Sequence, residues 1–125
     1  MWTMTGKPKW LTSTAIWSTR VSLARIDNKW TAMVVLALGK GGLRFGDLRV
    51  RIGGISAKML TETLRDLERD GLVARHIHAE MPPRVQYELT DLGRSLYKPL
   101  QAIGRWAEEH TAEVLAARDA YDARQ

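Results

Sequence analysis

The residues best suited to chemistry lie in two short stretches, Ser56 to Arg65 and Arg84 just after Pro82-Pro83. Neither holds an activated nucleophile; both hold hydrogen-bond donors and cations. In the first, Ser56 precedes Leu60, Leu64 and Leu67 at helical spacing, which turns Ala57, Lys58, Thr61, Glu62 and Arg65 to the opposite side. Small and polar side chains fill the first two outward turns. A helix about 10 to 12 Å across with its side chains fits the major groove of B-DNA, and its N-terminal turn, here Ser56 and Lys58, offers amide donors and partial positive charge to phosphate. The spacing predicts that Lys58 reaches a guanine or an adjacent phosphate, Thr61 a base edge or a thymine methyl, and Arg65 the DNA backbone. In isolation, Lys58 and Arg65 with Glu62 and Asp66 nearby read as a solvated helix face. The surrounding elements decide between the two readings.

Those elements follow from periodicity. Residues 1–12 have no helical period and contain Gly6 and Pro8, so they read as an arm. Ser13 or Thr14 can cap a helix to about Ile26 with Trp17, Val21 and Ala24 on one face. Asp27 or Asn28 caps a second, with Trp30, Val34, Val35 and Leu38 as its apolar stripe and Gly39, Gly41 and Gly42 supplying positive φ at its end. A short third helix turns Phe45, Leu48 and Ile52 inward and Asp47, Arg49 and Arg51 outward, and stops at Gly53-Gly54. The helix opened by Ser56, with Ile55 as a staple before the cap, stops at Gly71.

After Gly71 the period falls to two, over residues 72–79 and again where Val85, Tyr87 and Leu89 alternate with Arg84, Gln86 and Glu88. Two strands are expected, joined by the stiff tip Glu80-Met81-Pro82-Pro83, whose prolines offer no amide donors. From Thr90 or Asp91 a long helix, bent at Pro99, should keep Leu92, Leu96, Leu100, Ile103, Ala107 and Val114 on one face and fade into a polar tail from Arg118 to Gln125. The order predicts an α+β fold, mostly α: a winged helix-turn-helix in one domain over residues 1–125. The helix-turn-helix occupies 45–70 and a two-stranded β-hairpin wing 72–90.

This context favours DNA contact at Lys58. Arg84, placed after the wing tip, is expected to meet phosphate or the minor groove rather than only pair with Glu80 or Glu88. Arg44, Arg49 and Arg51 are expected on phosphates or in solvent. His76 and His78 share a strand face, and with no carboxylate at matching spacing they read as surface or phosphate-facing residues; no metal is expected. His110 has no evident partner. No Gly-rich phosphate loop or spaced acid pair is present, so neither an enzyme nor a cofactor is expected.

Composition sets outer bounds. The 125 residues suffice for one core, and the net charge of +5 is uneven, at +4 over residues 1–39, +3 over 40–84 and −2 over 85–125. The absence of cysteine removes disulfides, thiolate zinc sites and thiol redox switching. No apolar run reaches the roughly 18 residues of a membrane span and Met1 to Trp10 lacks the order of a secretion signal, so no membrane association and a cytoplasmic location are expected.

Together these residues resemble the HxlR-type winged helix-turn-helix transcription regulators of bacteria, relatives of the MarR group. The resemblance is carried by Lys29-Trp30, by Arg44 through Leu48, by Gly54 through Leu60, by Leu64-Arg65-Asp66-Leu67-Glu68 with Asp70-Gly71-Leu72-Val73, and by Pro82-Pro83-Arg84-Val85 through Tyr87, Leu89-Thr90 and Gly93. It implies a homodimer built by terminal helices, here 13–26 and 91–118, on an inverted-repeat operator. It places recognition on Ser56, Ala57, Lys58, Thr61 and Arg65 and a wing contact on Arg84. Many members carry Cys-Pro early in the first helix; that position falls near Trp17-Ser18 here, so thiol sensing is not implied.

Five tryptophans need an account. Trp30 reads as core, and plain interface packing explains Trp2, Trp10, Trp17 and Trp106 most simply. A sharper expectation has Trp17 and Trp106, with Trp10 and Tyr97, lining a pocket between protomers for a flat aromatic effector. The alternative function is a winged-helix protein-interaction subunit without specific DNA binding; the cations on the recognition face weigh against it.

Overall fold

The computed structural model describes residues 28–125, so the expected arm and first helix, with Trp2, Trp10 and Trp17, lie outside the described residues. The described elements are α1 (Lys29–Leu38), β1 (Leu43–Arg44), α2 (Phe45–Ile52), α3 (Ala57–Arg69), β2 (Val73–His78), β3 (Arg84–Leu89) and α4 (Asp91–Ala123). Asn28 caps α1, its side chain accepting from the Trp30 amide at 2.9 Å. Ser56 caps α3 by accepting from the Met59 amide at 3.0 Å, and Thr90 caps α4 by accepting from the Gly93 amide at 3.1 Å. Each hydroxyl or amide oxygen satisfies a donor that has no acceptor within its helix.

The inward periodicities converge on one core. Val34, Val35 and Leu38 of α1, Leu48 of α2, Leu60, Leu64 and Leu67 of α3, and Leu100 of α4 are buried together with Ile55, Val73 and Leu89. Trp30, Phe45 and Ile52 pack against its edge. Removing such a leucine typically costs about 2–5 kcal/mol, so this face of α3 is held in place by packing rather than by helix propensity.

Between α2 and α3 the chain turns through Gly53 and Gly54, at φ +71° and +73°, a left-handed conformation that side chains with a Cβ rarely adopt. The Arg49 Nε donates to the Ile55 carbonyl at 3.0 Å across that turn. At the wing root, the Leu72 amide bonds the Leu67 carbonyl at 2.9 Å, the Thr90 amide bonds the Leu72 carbonyl at 3.1 Å, and the Thr90 hydroxyl donates to the Gly71 carbonyl. A Cβ at Gly93 would lie 2.1 Å from the Leu72 carbonyl oxygen, so the first turn of α4 approaches the wing root as closely as only glycine allows.

The sheet has three strands rather than the expected two, in the order β1-β3-β2 and antiparallel throughout. Leu43 pairs with Tyr87 and Arg44 with Gln86, attaching the segment before α2 to the inner strand of the hairpin. Three further expectations are corrected. Of the three glycines after α1 only Gly41 has positive φ; Gly39 is right-handed, φ −62°, and serves as a site of close packing. The helix expected to end near residue 118 runs to Ala123 with no polar tail from Arg118, because alanines at 116, 117, 120 and 123 sustain it. Leu92, expected on one face with Leu96 and Leu100, is 56% exposed whereas Leu100 is buried.

Candidate nucleic-acid interface

Anchoring of the leucine side of α3 leaves its other side to solvent: Ser56, Ala57, Lys58, Thr61, Glu62 and Arg65 are all exposed. Ser56 uses its oxygen as the cap acceptor and keeps its O–H for an outside acceptor. The Thr61 hydroxyl donates to the Ala57 carbonyl at 2.8 Å, which leaves its methyl and an oxygen lone pair facing outward. Lys58 and Arg65 enter no ion pair among the described residues, although Glu62 lies one turn from Lys58. The amides of the first turn of α3 have no intrahelical acceptor and, with its dipole, complete a surface suited to phosphate and base edges.

The α2 arginines divide. Arg44 is exposed on β1. Arg49 spends its Nε on the turn, and Arg51 Nη1 donates to the Ala37 carbonyl at 3.4 Å, so both brace the helix-turn-helix while their remaining donors face solvent.

On the wing, cross-strand pairing puts His76, His78, Arg84, Gln86 and Glu88 on one face. His76 Nε2 donates to Glu88 Oε1 at 2.7 Å, and His78 Nε2 bonds Gln86 Oε1 at 3.2 Å. Arg84 pairs through Nη2 with Glu80 at 3.5 Å, whereas its buried Nε has no partner. Among the described residues no group of three or more His, Cys, Asp or Glu could hold a metal ion, and no helix is long and apolar enough to cross a membrane.

Of the aromatic set expected for an effector, Tyr97 and Trp106 are described, and the two do not come together within one chain. Tyr97 packs over Gly39, whereas Trp106 is 55% exposed and stacks on His110, ring centroids 5.0 Å apart. Nine residues along a helix put Tyr97 and Trp106 roughly half a turn apart. Trp10 and Trp17 lie outside the described residues. A groove of about 430 Å³ between α1 and α2, lined by Met33, Leu36, Ala37, Lys40, Arg51 and Ile52, contains none of the four. His110 does have partners, the Trp106 ring and the Trp106 carbonyl, which its Nδ1 bonds at 2.9 Å.

The apolar face of α4 is broader and longer than the part the body covers. Leu96 and Leu100 turn toward the body, and beside and beyond them Ile103, Trp106 and His110, followed eleven residues later by Val114, Ala117 and Tyr121, extend the face toward solvent. The signal was in the sequence, since an 11-residue repeat keeps a stripe nearly straight along a helix.

Four described helices around a hydrophobic core, a glycine turn before the capped α3, and a hairpin rooted at its end define a winged helix-turn-helix protein. The chain belongs to the HxlR-like helix-turn-helix family, whose pattern matches residues 25–114. It is similar to the uncharacterised HTH-type transcriptional regulator YtfH of Escherichia coli, 41% identical over 100 residues that span 80% of this chain and 79% of that one. In structure it is similar to the transcriptional regulator YtfH from Salmonella typhimurium, with a TM-score of 0.74 and 38% identity over 81% of this chain and 90% of that one. It also resembles the redox regulator HypR in its reduced form, TM-score 0.73 and 31% identity, covering 79% and 98%. The chain is thus a DNA-binding transcriptional regulator of the helix-turn-helix type. With no cysteine, it has no thiol chemistry of its own.

Proposed function

We propose that the chain works in the cytoplasm as a homodimer on a pseudo-palindromic operator, α3 of each protomer in a major groove and each wing over the adjoining minor groove. The observation that carries this reading is the free cationic outer side of α3: Lys58, in the turn capped by Ser56, and Arg65, two turns further on, are exposed with no ion-pair partner among the described residues. Ser56, Ala57, Lys58 and Thr61 face bases or the nearest phosphates. Arg65, Arg44, Arg49, Arg51, His78 and Arg84 supply backbone or minor-groove contacts.

Support for the dimer comes from the outer stripe of α4, where Ile103 and Trp106 are each more than half exposed and Val114, Leu115 and Tyr121 also meet solvent. Burying such a stripe on its twofold copy removes apolar area from water at about 25 cal/mol per Å². The twofold would set the two α3 helices about one DNA turn apart, roughly 34–36 Å or a multiple. A flat aromatic effector would have to be held between protomers, since Tyr97 and Trp106 of one chain face apart.

Selection of bound sites from a random DNA pool, followed by binding assays across a salt series, tests the reading. An inverted repeat and discrimination that persists as salt rises are expected. Weak binding without sequence preference would instead favour a protein-interaction subunit.

A further inference from the structure

The apex of the wing is apolar, unlike the polar and basic surface around α3. Strand pairing ends at His78 with Arg84, leaving Ala79 to Pro83 as the tip. Met81 is 98% exposed, Ile77 on the strand below it 63%, and Pro82 and Pro83 are exposed as well. A single exposed methionine requires no explanation. Here, however, apolar atoms form the end of the β2–β3 ribbon beyond its pairing with β1, and two prolines hold its φ angles, so clamping the apex forfeits little freedom.

Charge at the apex points to the same partner. Glu80 would repel phosphate, but Arg84 holds it at 3.5 Å and cancels it. At the base of the apex the Arg84 Nε is buried and has no acceptor among the described residues. The ribbon is rooted at the end of α3, so wing and α3 belong to one helix-turn-helix unit.

We propose that Met81, backed by Pro82, is a wedge that enters the minor groove beside each half-site, partly unstacks one base step and kinks the duplex there. This rests on the DNA-binding reading above and adds a second determinant of specificity to it. An unbranched, polarisable thioether fits an opened step, and methionine and proline are among the side chains that minor-groove proteins insert in this way. Pyrimidine–purine steps, TA and CA, open most readily, so the wedge confers a preference for such a step outside the bases that α3 touches.

The test uses the full chain and sites selected from the random pool. In each flanking TA or CA step the adenine is replaced in turn by 2-aminopurine, whose fluorescence rises on unstacking, and the bend is read by energy transfer between the DNA ends. One position per half-site should brighten several-fold and the ends should approach. M81S should abolish both effects and weaken binding about tenfold, whereas M81L should keep them. A mismatch at the opened step should tighten wild-type binding and leave M81S unchanged. Because Met81 is almost wholly exposed, neither variant touches the core. If no step brightens, or M81S matches wild type, while Lys58→Ala still loses site preference, the wedge is overturned and the DNA reading stands. A chain that selects no site overturns both.

Discussion

The ring of Tyr97 occupies the space that a side chain at Gly39 would need: a Cβ built there would lie 1.9 Å from Tyr97 Cε1. Gly39 is in ordinary right-handed conformation, so alanine would suit its backbone and only the ring excludes it. Gly39→Ala should therefore destabilise by about 1–3 kcal/mol through overpacking. In Tyr97→Ala the same change should cost far less. Urea denaturation of the two single variants and the double variant would measure that coupling.

Thr90 serves both the wing root and α4, donating to the Gly71 carbonyl and accepting from the Gly93 amide. Thr90→Ala should cost about 1–2 kcal/mol as a lost cap. Gly93→Ala should cost more, because its new methyl would meet the rigid Leu72 carbonyl rather than a movable side chain. Thermal melts of both variants check this order.

Lys58→Ala should weaken binding to a selected site by about 1–3 kcal/mol and relax the preference at one position per half-site. Arg44→Ala should weaken selected and random DNA alike and reduce the salt slope by about one unit. Titrations of both DNAs at several salt concentrations distinguish the two outcomes. Arg49 is a poorer probe, since its removal also loosens the turn that aims α3.

Ile103→Asp combined with Val114→Asp should leave the protomer folded, because neither residue belongs to the buried core, and should yield monomers in sedimentation equilibrium. Loss of the second half-site should reduce operator affinity by a hundredfold or so, in line with the gain from joining two binding units. An unchanged dimer would place the contact elsewhere.

Strong periodicity explains what the sequence made legible. The Leu60, Leu64, Leu67 series and the Ser56 cap fix α3 and, through it, the outward set from Ala57 to Arg65. Two residues, Leu43 and Arg44, are too few for alternation to appear, so β1 is defined only by its partner across the sheet. Leu92 and Ile103 match the period of α4 but not the side that the body covers, because apolar spacing marks a face without saying what lies against it. Spacing turns Arg49 and Arg51 outward but does not reveal the donors each spends on the Ile55 and Ala37 carbonyls, since carbonyls left open by turns and helix ends carry no sequence signal.

Because β1 fastens the lead into α2 to the inner strand of the hairpin, the wing is held to the helix-turn-helix at a second place besides its root at the end of α3. On the proposed reading, that double attachment would resist a duplex whose grooves are spaced differently. Part of the strain of fitting would then fall on the nucleic acid, and base pairs that no side chain reaches would acquire a say in which sequences are held.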